Sequence, residues 1–267
     1  QAPRWFDFGS RQAPRDLSLD PVIWALPACL NLRRLAIGTI CASANALKNL
    51  LRLRLAKGLH LALEKEYWLV VSEEIRLGRC NVQRLTLDMP QSSSSEATEA
   101  LHAVASAIQL DRNLEHLTLR MEDGFADEAG VALAEALTVN TTLRLLNLSA
   151  TVSNLSNRHN EAKLGAQSYE AFAAMLRINT SLVLELPPLD DDVDDERLLK
   201  SYYQMRIEQQ LNSVGRGKLL SSSLTTREEY VDALHMLSSN NVDDSPTFRI
   251  SCLYSLLRLK PSVACML

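Results

Sequence analysis

DEAGVALAEALTVNTTLRLLNL, residues 127–148, is the stretch that decides the fold of this chain. Its first half has the periodicity of an amphipathic helix, with an apolar residue at every third or fourth position. The apolar positions of that helix are Val131, Leu133, Ala134 and Leu137. Asn140 ends the pattern, and the second half then places leucines in the spacing L-x-x-L-x-L, which predicts a short strand with one apolar face. One helix–turn–strand unit cannot bury its apolar faces alone, so the chain should contain further copies.

The strand pattern occurs five times in the sequence. The predicted strands are 32–37, 50–55, 82–87, 114–119 and 143–148. Helices are predicted near 61–75, 96–108 and 128–137, one in each of the three later intervals. The first interval, 18 residues between strand starts, is too short for a full helix and predicts a turn or a short helix.

A sixth unit follows a longer gap. It has a predicted helix near 169–176 and a strand at 182–186 that is one residue out of register. Pro187 and Pro188 end that strand, because proline cannot donate to a strand ladder.

Parallel strands that alternate with helices predict an α/β fold, a curved solenoid with the sheet inside and the helices outside. The predicted organisation is an extended N-terminal arm at 1–26, the solenoid at 27–189 and a helical C-terminal cap at 190–267. The cap has predicted helices at 197–211 and 247–259, and it should close the open end of the repeat stack.

The N-terminal arm contains three large apolar residues, Trp5, Phe6 and Phe8, between two copies of the tetrapeptide Gln-Ala-Pro-Arg. Leaving such side chains in water costs about 1.5–3 kcal/mol each. They therefore either pack on the first repeat as a cap or bind a partner protein, and both interpretations remain open here.

The motif at 130–148, G-x-x-L-A-E-A-L-x-x-N-T-T-L-x-x-L-x-L, closely resembles the ribonuclease-inhibitor type of leucine-rich repeat. The same repeat type occurs in innate immune receptors and in GTPase-activating proteins for the nuclear-transport GTPase. The resemblance covers about 30–186 and implies a concave sheet that binds macromolecules. The segments 211–220 and 256–262 also look like the endings of uncharacterised repeat proteins from unicellular algae, which implies no activity.

Bulk composition narrows the class of function. The formal net charge of −4 argues against a dedicated nucleic-acid binder, and no run of about 18 apolar residues would span a membrane. The five cysteines form no C-x-x-C pair and leave an odd one over, which predicts reduced thiols in a soluble intracellular protein. The sequence starts at Gln1, so we expect a processed or incompletely observed N-terminus.

The motifs that suggest chemistry fail on their defining positions. Gly215-Arg216-Gly217-Lys218 lacks the first glycine and the final Ser or Thr of a phosphate loop, and the acidic run 190–196 lacks the central glycine and final glutamate of a calcium loop. The histidines show no metal-ligand spacing. The sequons at Asn140 and Asn179 fall where the repeat itself needs asparagine. The sequence therefore predicts no metal, no cofactor and no enzyme activity.

The solvent-facing side of the predicted sheet carries a column of basic residues. The predicted partner-binding residues on this face are Arg34, Arg52, Arg54, Arg84, Asp88, His116 and Arg120. Neighbouring strands lie about 4.8 Å apart, so arginines at equivalent positions would repel one another and favour a partner with an acidic surface. Pairing of these arginines with local carboxylates, Asp88 and Glu115 among them, is the equally weighted alternative.

The function predicted from these features is that of a non-catalytic interaction module, a scaffold or adaptor that binds a protein. Two alternatives remain: a fixed structural subunit of a large assembly, attached through the arm and a flank, and a regulator of a small GTPase. The sequence does not predict the oligomeric state.

Overall fold

The computed structural model describes residues 5–7, 20–25, 34–37, 43–53, 58–89, 94–121, 125–150, 164–186, 189, 194–216, 231–233, 235–236 and 246–259. Its strands are β1 (Trp5–Asp7), β2 (Arg34–Ile37), β3 (Gly58–Ala62), β4 (Arg84–Met89), β5 (His116–Met121), β6 (Leu145–Ala150) and β7 (Val183–Glu185). Its longer helices are α1 (Asp20–Ala25), α2 (Ala44–Arg52), α3 (Lys65–Arg76), α4 (Ser94–Leu110), α5 (Asp127–Val139), α6 (Ala166–Ile178), α7 (Glu196–Ser213) and α8 (Pro246–Leu259).

The described strands form one parallel sheet in which each strand pairs with the next in sequence, from β1 to β7. One register row runs from β2 to β7, and its side chains are buried under the helices. The buried members of that row are Leu35, Leu59, Leu85, Leu117, Leu146 and Leu184. The α/β solenoid predicted from the L-x-x-L-x-L pattern is therefore confirmed.

The helices pack on one side of the sheet, each against its neighbour from α2 to α7. Packed helices lie about 8–10 Å apart, whereas paired strands lie about 4.8 Å apart. A stack with helices on one side therefore bends towards the sheet, which leaves the helix-free face of the sheet concave.

The predicted strand at 50–55 is wrong. Residues 44–52 form helix α2, and the second strand of that region lies further along the chain, at β3. Ser43 caps the N-terminus of helix α2, because its hydroxyl accepts a hydrogen bond from the backbone N–H of Ala46. The helix buries Leu47, Leu50 and Leu51 on one face. An L-x-x-L spacing suits a helix as well as this repeat, and here the helix cap and the apolar stripe decide the outcome.

The N-terminal segment joins the sheet. The backbone of Trp5–Asp7 pairs in parallel with β2, opposite Arg34–Ala36, and α1 follows before β2 begins. The structure describes the backbone alone for Trp5 and Phe6, and Phe8 lies outside the described residues. The boundaries proposed for the arm, the solenoid and the cap remain predictions.

Buried asparagines connect the corners where each helix turns into the next strand. The Asn140 side-chain amide donates to the carbonyls of Ile108 and Asp111 in the preceding repeat, and its oxygen accepts from the backbone N–H of Leu143. Asn179 donates in the same way to the carbonyls of Leu137 and Asn140. Both sequon asparagines are buried and have structural partners, which agrees with the structural interpretation of these motifs.

Helix α7 extends this asparagine ladder beyond the last strand. The Asn212 amide donates to the carbonyls of Leu176 and Asn179, in the pattern shared by Asn140 and Asn179. The helix predicted at 197–211 is thus the next helix of the stack rather than the start of a separate layer. Strand β7 is also in register, since Leu184 pairs with Leu146, so the offset seen in the sequence affects only the first apolar position, Leu182.

The Gly-Arg-Gly-Lys segment ends helix α7. Gly215 has a φ of 80°, the left-handed conformation that glycine adopts without strain. Arg216 is buried against the Glu208 carboxylate and the Leu176 carbonyl, while Gly217 and Lys218 lie outside the described residues. An arginine committed to these contacts supports the structural interpretation of the segment.

The described cysteines, Cys80 and Cys252, are both buried free thiols. Burial raises the pKa of the Cys80 thiol to about 11, so this thiol stays protonated and unreactive at neutral pH. The other three cysteines lie outside the described residues. Within the part of the chain that the structure describes, no helix has the length and apolar character needed to cross a membrane.

Replacing Asp111 by asparagine is expected to raise the free energy of unfolding by about 1–2 kcal/mol near neutral pH. Asp111 occupies the ladder position of Asn140, but its Oδ1 atom is buried and has no hydrogen-bond partner, and burial raises its pKa above the ordinary 3.8. An amide would keep the bonds from the backbone N–H groups of Asn113 and Leu114 and avoid burying a charge.

The pH dependence of the Asp111→Asn effect tests this explanation. The charged carboxylate is the costly form, so the wild-type penalty disappears as the pH falls through the raised pKa, and the two proteins converge in acid. Urea titrations at several pH values measure this, with Asp194→Asn as the control because Asp194 is exposed. A destabilised Asp111→Asn protein would contradict the explanation.

Candidate functional site

The concave face of the sheet contains a groove of about 500 Å³ over strands β2 to β6. Its walls come from residues that alternate with the buried row and therefore point away from the helices. The lining residues include Ala36, Gly58, His60, Arg84, Thr86, His116, Thr118 and Leu145. Two register rows supply them: Gly58, Arg84, His116 and Leu145 in one, and Ala36, His60, Thr86 and Thr118 in the other.

The predicted basic residues do not form one continuous column in the structure. Arg34, Arg84 and His116 do belong to one register row, with Gly58 between Arg34 and Arg84. For Arg34 the structure describes only the backbone, and Arg54 lies outside the described residues. The missing side chain at Gly58 leaves a gap in the row where the sequence predicted an arginine.

The predicted position of Arg52 on the sheet is wrong. Arg52 is the last residue of α2, and its guanidinium forms a two-pronged ion pair with Glu74 of α3, with Nε–Oε2 and Nη2–Oε1 distances of 2.7 and 2.9 Å. This contact joins two neighbouring helices on the outer layer. Arg52 therefore has a local structural partner instead of a place in the groove.

Asp88 and Arg120 face each other across β4 and β5, as the register of the sheet requires. The Asp88 carboxylate lies 2.7 Å from the Nε2 atom of His60 and 3.8 Å from the Nη1 atom of Arg120. The sequence pattern does not predict β3 and therefore does not place His60 on this face. The Asp88 carboxylate offsets the charge of Arg120, so this part of the face offers a partner little free positive charge.

Arg84 is the exposed cation of the groove that keeps its charge available. Among the described residues its guanidinium has no hydrogen bond or ion pair, and it belongs to the same register row as His116. Asn147 and Glu185, further along the face, hydrogen-bond to each other. Local pairing, the alternative in the sequence analysis, thus applies to Arg52 and Arg120 but leaves Arg84 free.

The pKa of His116 reports the electrostatics of the groove. Burial lowers this pKa below the ordinary 6.5, and Arg84 lowers it further, with Arg144 acting in the same direction and Glu115 and Glu185 opposing. His116 is therefore mostly neutral at neutral pH, and a bound anion would raise its pKa by favouring the charged form.

We expect the NMR titration midpoint of His116 to lie below 6.5 and to rise in an Arg84→Ala protein, because the substitution removes a neighbouring positive charge. The imidazole chemical shifts, followed from acid to alkaline pH, measure the midpoint. Arg76→Ala is the control, since Arg76 pairs with Glu73 on helix α3. A midpoint that does not change in Arg84→Ala would contradict the proximity of these two groups.

Metal ligands do not gather in this region. Over the described ranges, no group of three or more His, Cys, Asp or Glu side chains is arranged to hold a metal ion. The groove instead offers a free guanidinium, an imidazole and the hydroxyls of Thr86 and Thr118. Such a set recognises a ligand through charge and hydrogen bonds.

Comparisons with known proteins add a fold likeness only. The sequence matches no family model and no curated protein. Among solved structures, the tropomodulin C-terminal domain of Caenorhabditis elegans resembles the chain with a TM-score of 0.43 and 16% sequence identity, over 67% of this chain and 99% of that one. The leucine-rich-repeat-like solenoid therefore rests on this chain's own strand register and asparagine ladder.

Proposed function

We propose that the chain is a non-catalytic interaction module, a scaffold or adaptor that holds a partner protein in the concave groove. The observation that carries this proposal is the free, exposed Arg84 in a groove whose other described charges are largely paired. Among the described residues, this sheet face offers hydroxyls and an available cation, which can recognise a ligand without a nucleophile or a metal.

The partner that this groove suits has an acidic surface. A carboxylate can take both N–H groups on one edge of the Arg84 guanidinium, which gives a stronger and more directional bond than a neutral pair. Gly58 lies next to Arg84 in the register and contributes no side chain to the groove. Neutral His116 can add a further hydrogen bond.

The buried asparagines support assignment of the repeats to the ribonuclease-inhibitor-like type. In that assignment the Asn-Thr-Thr-Leu corner at 140–143 is a structural element, and it makes the contacts expected of one. We also propose an intracellular location, which the two buried free thiols Cys80 and Cys252 support.

The backbone pairing of Trp5–Asp7 with β2 bears on the choice of interface. A strand committed to the sheet is less available as an attachment arm than a free segment would be. We therefore prefer the concave groove to the arm as the contact surface of the proposed adaptor.

Arg84→Ala is expected to abolish recovery of the partner, because truncating one member of a desolvated charge pair costs about 2–5 kcal/mol of binding free energy. Affinity purification with mass spectrometry identifies proteins recovered with wild-type chain, and the same proteins are then quantified for the variant. Arg76→Ala, an exposed arginine on helix α3, is the matched control and should recover the partner normally. A partner that stays bound to a folded Arg84→Ala chain would overturn the groove as the interface.

A further inference from the structure

The outer surface of the solenoid has an apolar position that recurs at the end of three consecutive helices. Leu110, Val139 and Ile178 each immediately precede the ladder position of their repeat and are 56%, 52% and 66% exposed. The equivalence of these positions follows from the ladder itself, since Asn140 and Asn179 contact the preceding corners in the same way. We call these three side chains the aliphatic stripe.

The next repeat shows what such a position looks like when it is covered. Leu211 immediately precedes the ladder residue Asn212, so it is the fourth member of the series, yet it is only 1% exposed. It packs with Ile207 and Val214 of the same helix end in a cluster that includes residues of α8. The α8 members of that cluster are Phe248, Cys252 and Leu256.

The same outer face in the preceding helices has no such cover among the described residues. The positions equivalent to Ile207 are Ser106, Glu135 and Ala174, and all three are exposed. The aliphatic stripe therefore lies on the same face of the helix layer that α8 covers at the end of the stack. Isolated exposed apolar residues are common, but here the same position of three successive repeats is apolar and exposed.

The spacing of the stripe fits a helix. Neighbouring repeats are separated by between about 5 Å at the strands and 8–10 Å at the helices. Apolar residues four apart on a helix are about 6 Å apart along its axis, which is the spacing that α8 uses at Phe248, Cys252 and Leu256. Three repeats span at most about 20 Å, so one helix of about 15 residues, about 22 Å long, can lie across all three residues.

The charged residues near the stripe indicate what charge a bound helix should carry. The corners that follow α3, α4 and α5 carry the exposed arginines Arg79, Arg112 and Arg144, and none of them forms an ion pair with a carboxylate among the described residues. Glu135 lies one turn before Val139 on the same helix and is exposed. A helix with acidic residues on the flank that faces the corners would compensate the arginines.

We propose that the aliphatic stripe, Leu110, Val139 and Ile178, binds an amphipathic helix of a partner protein whose flank towards the corners is acidic. This surface lies on the helix layer, away from the concave groove. The two proposals therefore involve different residues, and each can fail without the other.

The test uses a designed peptide because it presents the proposed chemistry alone. The probe is a fluorescent helical peptide of about 15 residues with leucines four apart and glutamates along one flank, and a second peptide carries lysines in place of the glutamates. Fluorescence anisotropy with the full chain should show saturable binding of the glutamate peptide and binding about tenfold weaker for the lysine peptide. Equal binding of the two peptides, or none by either, would overturn the proposal.

The variants locate the contact. Leu110→Ser, Val139→Ser and Ile178→Ser combined should weaken binding of the glutamate peptide by about tenfold or more. Ile250→Ser with Tyr254→Ser, two equally exposed apolar positions on α8, should leave it unchanged. Both variants should keep the wild-type circular dichroism, because all five side chains are exposed. An equal loss of peptide binding in the two variants would overturn the assigned position. Binding of phosphatidylserine vesicles that displaces the peptide and disappears in the triple variant would also overturn it.

Discussion

Replacing Glu208 by alanine is expected to lower the free energy of unfolding by about 3–5 kcal/mol, because the change leaves a buried guanidinium without its counter-charge. Arg216 is 2% exposed, and one of its terminal nitrogens bonds the Glu208 carboxylate while the other bonds the Leu176 carbonyl. Arg177 and Gln204 also donate to Glu208, with distances of 2.8 and 2.9 Å. The carboxylate therefore neutralises Arg216 and joins α6 to α7.

A double replacement separates the cost of an orphaned charge from the cost of lost packing. Glu208→Leu together with Arg216→Met removes both charges and keeps apolar volume, so it should recover most of the stability lost in Glu208→Ala. Chemical denaturation monitored by circular dichroism provides the free energies. A Glu208→Ala protein within about 0.5 kcal/mol of wild type would mean that the guanidinium reaches water in solution.

Leu146→Ala is expected to cost about 2–5 kcal/mol, since it removes buried methyl groups and leaves a cavity under the helices. Leu146 is 0% exposed and pairs in register with Leu117 on one side and Leu184 on the other. Its neighbour Leu145 points to the concave groove and is only partly buried.

Leu145→Ala is the matched control because it removes the same atoms one residue away, on the other face of the strand. It should cost clearly less than Leu146→Ala, since a partly exposed leucine loses less burial and leaves no enclosed cavity. Urea titration of both proteins makes the comparison. Equal losses would show that the two faces of β6 are not distinguished as the register requires.

The sequence was sufficient to predict the repeat, but not the helix and strand at the start of the solenoid. Residues 51–55, Leu-Arg-Leu-Arg-Leu, alternate like a strand, yet Leu47, Leu50 and Leu51 form the buried stripe of helix α2. Short apolar runs fit the period of a helix as well as that of a strand. The signals available for the helix were Ser43 as a helix cap and the 18-residue interval. The true strand, Gly58–Ala62, was missed for the same reason.

The misplaced strand also made part of the predicted binding site wrong. Moving the second strand to β3 takes Arg52 out of the groove and brings Gly58 and His60 into it. Spacing alone could not show which arginines find carboxylates, because Arg52–Glu74 and Arg216–Glu208 join residues on separate helices or helix ends. The place of α7 in the stack did leave a signal: Leu211-Asn212 matches Ile178-Asn179 and Val139-Asn140.

The asparagine ladder has a direction. Asn140, Asn179 and Asn212 all donate to carbonyls of the repeat before them. A growing polypeptide leaves the ribosome N-terminus first, so the acceptors of each step exist before their donor is synthesised. Each new repeat can then settle on a finished one without waiting for downstream residues. Loss of the last repeats would leave carbonyls that can accept hydrogen bonds from water. Loss of the first repeats would leave buried side-chain amides without acceptors. The stack therefore tolerates shortening far better from its C-terminal end.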